Sequence, residues 1–271
     1  MLDLNVRLVS ILGVLTVIVL VGLTFDYFGK LRRQFRLGLL VAFLGIAAGG
    51  LFTFMAVIPD EKFYGPVFSE VKTSRKVVAL TFDDGPYPPY TGQILDVLRE
   101  EQVSATFFVV GKNAEKYPDL VRRIVNEGHQ VGNHTYSHMD LLKADSKTIA
   151  QEVDRTSAII SDITGKETRL VRPPHGFRDA VVMEMMTKRN LSVVEWSIAS
   201  RDWTNPGVDE IVNRTLSKIK NGSIILLHDG DGTAQAASRE ETVAAARRII
   251  DELKNQGYIF VTVSEIVNPE E

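Results

Sequence analysis

Lys76 to Pro86 reads KVVALTFDDGP, an apolar run that stops at two adjacent aspartates and a Gly-Pro turn. Val, Ala, Leu and Phe follow one another without the polar alternation of a half-exposed strand. That pattern predicts a strand covered on both faces, as in a parallel sheet. Working outward, further strands are predicted at Ala105 to Val110, Leu170 to Arg172, Leu191 to Trp196, Ser223 to Leu227 and Tyr258 to Val263. His129 to Gly132 reads as another short one. Helical spacing falls between them, at Thr91 to Gln102, Asn113 to Glu127, Lys147 to Thr164, Asp179 to Arg189, Val208 to Lys220 and Glu240 to Asn255, with Ser146 as an N-cap. Regular alternation of strand and helix predicts an α/β domain with a mostly parallel sheet over residues 76–271. Periodicity leaves open whether the sheet closes into a barrel.

Upstream, residues 59–75 carry Pro59, Gly65 and Pro66 without sustained periodicity, which predicts a linker or a loosely attached lead-in. Before them lie two uncharged apolar runs, Leu8 to Phe25 and Leu37 to Ile58, eighteen and twenty-two residues long. A bilayer core takes about 20 residues of apolar helix, whereas the apolar core of a signal peptide runs only about 7 to 15. Residues 1–58 therefore predict a two-helix transmembrane hairpin with helices at about 8–25 and 37–58, and a lipid bilayer as partner. Lys30, Arg32, Arg33 and Arg36 crowd the loop between the runs, so the positive-inside rule places that loop in the cytoplasm. Both termini and the α/β domain are then extracytoplasmic.

Five of the 31 basic and two of the 34 acidic residues precede residue 59, which leaves 26 against 32 and a net charge of −6 for residues 59–271. With no Lys/Arg cluster, a domain of that sign argues against nucleic acid as a partner. The chain has no cysteine. Thiolate chemistry and disulfides are excluded, and any metal must be held by His, Asp or Glu.

Polar residues gather at the ends of the predicted strands, where α/β folds build their sites. Asp83 and Asp84 point in opposed directions if the chain is extended, so one can hold a cation while the other accepts a proton. His134 and His138 are four apart, which on a turn of helix puts both imidazoles on one face. Two His and one Asp make a three-ligand metal site with a position open for water. In RPPHG, Pro173 and Pro174 stiffen the chain so that Arg172 and the N–H groups of His175 and Gly176 are held in place. Asp202 and Trp203 precede a turn, and Trp203 reads as a packing lid or a ligand platform. His228 emerges from a buried strand as a candidate general acid. The DGDGT that follows has Ala234 where a calcium loop needs Gly, so it is set aside.

TFDDGP, HTYSH, RPPHG, RDW and LLH, in this order from about Arg75 to the C terminus, resemble the motifs of the polysaccharide deacetylase family, carbohydrate esterase family four. The resemblance implies a deformed (β/α) barrel and metal-dependent hydrolysis of N-acetyl groups on a glycan. It implies that Asp84, His134 and His138 bind a divalent metal, zinc first. Asp83 would be the general base and His228 the acid that protonates the leaving amine. Arg172 would orient Asp83 and be held in turn by Asp202, and the backbone N–H of His175 would stabilise the oxyanion. Trp203 and Leu226 would line the acetyl pocket. Two positions depart from the family pattern: His175 stands where Tyr is usual, and Ala199 where an acid often stands. Joined to an outward-facing anchor, this predicts an N-deacetylase of peptidoglycan. An O-acetyl esterase acting on xylan and a non-catalytic glycan binder are the alternatives.

Overall fold

The computed structural model describes residues 8–27, 29 and 33–268. Two helices, α1 (Leu8–Tyr27) and α2 (Arg33–Val57), lead into β1 (Val77–Asp83), α3 (Tyr90–Glu101), β2 (Thr106–Val109), α4 (Gly111–Lys116), α5 (Pro118–Asn126) and β3 (Gln130–Asn133). Then follow α6 (Ser146–Thr164), β4 (Leu170–Val171), α7 (Ala180–Thr187), β5 (Ser192–Val193), β6 (Ile198–Ala199) and α8 (Val208–Leu216). The last elements are β7 (Ile224–His228), α9 (Glu240–Asn255), β8 (Ile259–Phe260) and α10 (Val263–Val267). The sheet runs β5-β4-β3-β2-β1-β7-β6, with β8 beside the start of β1. Every strand pairing in it is parallel. This is the deformed barrel, its ring unclosed between β5 and β6.

All of β1 is buried, as its unbroken apolar run predicts. Period two sorts its side chains. Val78, Leu80 and Phe82 pack outward with Ile94, Leu98, Ile225, Leu227 and Ile249 under the helices. Val77 and Ala79 face the interior with Phe108, Ile224 and Val263. Thr81 and Asp83 continue that inner row, so the strand delivers a carboxylate to the mouth of the barrel. Register does the rest, pairing Asp83 with His228 on the neighbouring strand.

The sequence expectation differs from the structure wherever tertiary contacts override local pattern. The helix expected over Asn113 to Glu127 is two, because Tyr117 is non-helical and Pro118 starts the second. Asp145 rather than Ser146 caps α6, its carboxylate accepting from Thr148 N–H. The strand expected over Leu191 to Trp196 shrinks to two residues, and the strand over Tyr258 to Val263 gives way to a capping box at Thr262 that opens α10.

Residues 59–75 are not a loose lead-in. Phe68 N–H donates to the Val193 carbonyl at 3.0 Å and Glu195 N–H to the Phe68 carbonyl at 2.8 Å, while Val67 is buried among Val171, Val182 and Val193. The stretch is a strap along β5, whose outer edge would otherwise leave its backbone groups unpaired.

Both apolar runs are helical, but the two-pass hairpin is not supported. Among the described residues only Gln34–Val57 is long and apolar enough to cross a bilayer. Within α1 the described apolar helix is the shorter Gly13–Asp26. Arg7, Lys30 and Arg32, which bear on sidedness, lie outside the described residues, as does the Arg33 side chain. Arg36 pairs with Asp26 across the turn at 2.7 Å.

Candidate active site

Asp83 ends β1 and Asp84 follows with a left-handed backbone, φ 77°. That reversal lets both carboxylates line one cleft, where an extended chain would have parted them. Gly85 is required next: its N–H donates to Asp229 Oδ1 at 3.1 Å, and a Cβ there would collide with the Asp229 carboxylate.

His134 and His138 are not on a helix. They follow β3 in a loop that turns through left-handed residues, Thr135 at φ 63° and His138 at φ 59°, which bring the rings to 5.0 Å between centroids. Asp84 Oδ1 lies 2.9 Å from His138 Nε2 and 3.4 Å from His134 Nε2. The donor atoms of the three residues fall within 4.8 Å of one another. His134 Nδ1 is 2.6 Å from the Arg172 carbonyl, so it carries the proton and Nε2 keeps a free lone pair. Asp84 Oδ1 is buried and receives no hydrogen bond. Three electron-pair donors facing one another without protons between them fit a cation, and two imidazoles with a carboxylate suit zinc-type metals.

Asp83 turns one oxygen to the triad, Oδ2 being 3.8 Å from His134 Nε2, and gives the other to Arg172 Nη1 at 2.7 Å. Arg172 is fully buried and held on all sides. It donates to Thr81 Oγ1 and to the carbonyls of Val194 and Glu195, and it lies over the Phe108 ring. The expectation that Asp202 holds Arg172 is overturned, since Asp202 faces His228 instead. Its Oδ1 lies 2.9 Å from His228 Nδ1, and its Oδ2 accepts from the His228 backbone N–H and from Thr242. Ser200 donates to the same carboxylate. Burial disfavours the His228 cation, but the adjacent Asp202 outweighs it and lifts the imidazole to about 9. Asp202 is correspondingly lowered, its burial overcome by His228.

In RPPHG, Gly176 N–H is used internally, donating to the Pro173 carbonyl, so of the two expected N–H groups only that of His175 is left to consider. His175 is left-handed, φ 61°, and stacks edge-on against His138 with centroids 5.0 Å apart. The cleft encloses about 570 Å³ and is lined by Asp83, Asp84, His134, His138, His175, Trp203, Leu226 and His228. Arg172 and Asp202 stand behind it. The sequence reading missed Phe177, Trp196 and the wall formed by Asp231 to Ala234 and Arg239. That wall is the DGDGT loop, pinned where Asp231 accepts from Ala237 N–H and pairs with Arg239. Its clustered Asp and Gly beside His228 were the available signal.

Beneath the rim lies Glu195, fully buried, with neither carboxyl oxygen hydrogen-bonded. Burial pushes it up to about 8 against the pull of Arg178 and Arg172, so it is protonated at neutral pH. An acid raised in the folded state contributes stability that is complete below its unfolded pKa, near 4.5, and is lost as pH climbs toward 8. Glu195→Gln is expected to flatten this slope and to melt above the parent at pH 8 to 9, with the difference shrinking by pH 5. Parallel melting-temperature curves for the two proteins across that range would contradict it.

The polysaccharide deacetylase family model matches residues 70–194. A peptidoglycan-N-acetylglucosamine deacetylase of Bacillus cereus is 40% identical over 205 residues, covering 75% of this chain and 93% of the relative. A chitooligosaccharide deacetylase of Rhizobium leguminosarum bv. trifolii is 42% identical over 198 residues, covering 70% and 92%. The crystal structure of the Bc1960 peptidoglycan N-acetylglucosamine deacetylase superposes with a TM-score of 0.70 at 37% identity, covering 73% of this chain and 91% of that one. Identity at this level spans nearly the whole of these relatives and coincides with the Asp-His-His cluster at the barrel mouth, so the chain belongs to the polysaccharide deacetylase family, carbohydrate esterase family four, and is a hydrolase of that family.

Proposed function

We propose that the protein removes acetyl groups from an N-acetylated amino-sugar polymer, peptidoglycan first and chitin-like oligosaccharides second, outside a membrane to which α2 holds it. The supporting observation is the convergence of Asp84, His134 and His138 with Asp83 and His228 in one cleft. Residues 76–271 form the catalytic domain in this reading. Asp84, His134 and His138 would hold a divalent cation, zinc in our reading, which when bound would supply Lewis-acid polarisation of the acetamide carbonyl and a lowered pKa for a water. Asp83 takes the proton of that attacking water at Oδ2, kept in place by Arg172 on its other oxygen. The His175 N–H donates to the developing oxyanion. His228, oriented through Nδ1 by Asp202, gives its Nε2 proton to the departing amine. Trp203 and Leu226 flank the acetyl methyl, and His175 presents a smaller, more polar surface than Tyr would.

Incubating the full-length protein with zinc and N-acetylglucosamine oligomers or peptidoglycan should release acetate and create primary amines in equal amounts. Acetate from acetyl-xylan alone would favour an O-acetyl esterase. Release from none, with metal bound and fold intact, would sink the reading and leave a glycan binder.

Because His228 must be protonated to act, activity should fall as pH rises through its pKa. Asp202→Asn removes the carboxylate that lifts it, so the alkaline limb of kcat should move down by at least about one pH unit, with a bound cation lowering both limbs alike. An unmoved limb would show that His228 is not the acid.

Membrane anchoring draws support from the apolar surface the helices present. Val17, Leu20, Leu40, Phe43 and Phe54 are each more than half exposed, and a lipid bilayer is the cover they suit. A two-pass arrangement, with both termini outside, adds α1 as a second span. A thiol introduced as Asn5→Cys, the only one in the chain, should then react with a membrane-impermeant reagent on intact cells. Protection from it would remove the second pass.

A further inference from the structure

A helix leaves its last four carbonyls without partners inside the helix, and glycine-based turns or water usually serve them. At the end of α2 (Arg33–Val57) the catalytic domain serves one of them, that of Ala56, and the carbonyls of the residues that follow the helix. Arg178 N–H donates to the Ala56 carbonyl at 2.9 Å, and its Nη2 donates to the carbonyls of Ile58, Pro59 and Glu61 at 2.9, 3.0 and 2.6 Å. Nη1 donates to the Gly176 carbonyl at 2.9 Å and lies 3.5 Å from Glu195 Oε1. The side chain is about 2% exposed, so its charge depends on these carbonyls and on the negative end of α2. Two further contacts brace the joint: Tyr64 Oη donates to the Phe52 carbonyl at 2.8 Å, and Phe63 packs on Phe52.

One guanidinium thus joins the exit of α2 to Gly176, the neighbour of the cleft-lining His175. A flexible tether would have neither a buried cation at the joint nor a shared rim. We propose that Arg178 is a positioning residue that locks the catalytic domain onto α2 in one orientation, holding the His175–Gly176 rim beside the point where the chain leaves the bilayer, so that the enzyme works on N-acetylated glycan lying close against the membrane. The proposal rests on reading α2 as a bilayer span.

Because the chain has no native thiol, Phe54→Cys and Ile259→Cys can be spin-labelled in the full-length protein, in detergent and in lipid nanodiscs. Phe54 and Ile259 are both exposed, on α2 and on the catalytic domain. The parent should give one narrow distance distribution and Arg178→Gln a broad one. Arg178→Lys, which keeps the charge but cannot reach the same carbonyls together, should fall between, and it decides the matter should the Gln variant not fold. A broad distribution in the parent, or a narrow one in both variants, overturns the mount. In vesicles, an N-acetylglucosamine oligomer joined to lipid by a short spacer is compared with one on a long spacer. The short-to-long rate ratio should drop by roughly fivefold or more when Arg178 is replaced, and equal ratios overturn the membrane-proximal substrate. Release of the protein from vesicles by alkaline wash would sink the span reading and with it the membrane-proximal substrate, while the distances in detergent still test the Arg178 lock.

Discussion

His134→Ala is expected to leave acetate release at no more than on the order of 10⁻⁴ of the parent rate, the largest loss of any single substitution in the site. His134 is buried, with its tautomer fixed by the Arg172 carbonyl. Removing it takes away one of three ligands and leaves Asp84 and His138 to hold a cation alone. Chelation of the parent protein should reproduce the loss, and added zinc should reverse it in the parent but not in the variant. A chelated enzyme that still turns over at the parent rate would show that the triad is not a metal site.

Asp83→Asn should cost about 10³ to 10⁴ in kcat, the upper range for a general base, while leaving zinc stoichiometry near one. The amide preserves shape but cannot take a proton. Arg172 then faces a neutral partner in a fully buried position, and breaking such a pair costs about 3–5 kcal/mol. The variant should therefore also melt at a lower temperature. Measuring metal content, melting and rate on the same sample separates the two losses. Normal turnover with a lowered melting temperature would reduce Asp83 to a structural partner of Arg172.

Much of this was legible from residue order. The unbroken apolar run before Asp83 identifies a strand buried on both faces, and the side-chain period within it places Thr81 and Asp83 on the inner row. The metal triad was legible from residue types at strand ends, although not its geometry: the left-handed turns at Thr135 and His138 replace the helical face that four-residue spacing suggests. Whether Asp202 meets Arg172 or His228 depends on how β6 and β7 pair, and a two-residue strand such as Ile198–Ala199 exists only because that pairing exists. Arg178 and Glu195 escaped notice because charged residues are ordinarily on the surface, and nothing nearby in sequence marks them as buried. Trp196 and Phe177 were passed over as strand and loop apolar residues, since their place in the cleft is set by chain folding around the rim.

The strap along β5 has a practical consequence for anyone trimming this protein. A truncation starting at residue 76, where the α/β pattern begins, would strip Phe68 from Val193 and Glu195, and would lay the backbone of β5 open to the next molecule in solution. Val67 would leave a hole among Val171, Val182 and Val193. Such a preparation invites self-association through that bared strand, and an expression clone that keeps the chain from about Pro59 onward avoids it.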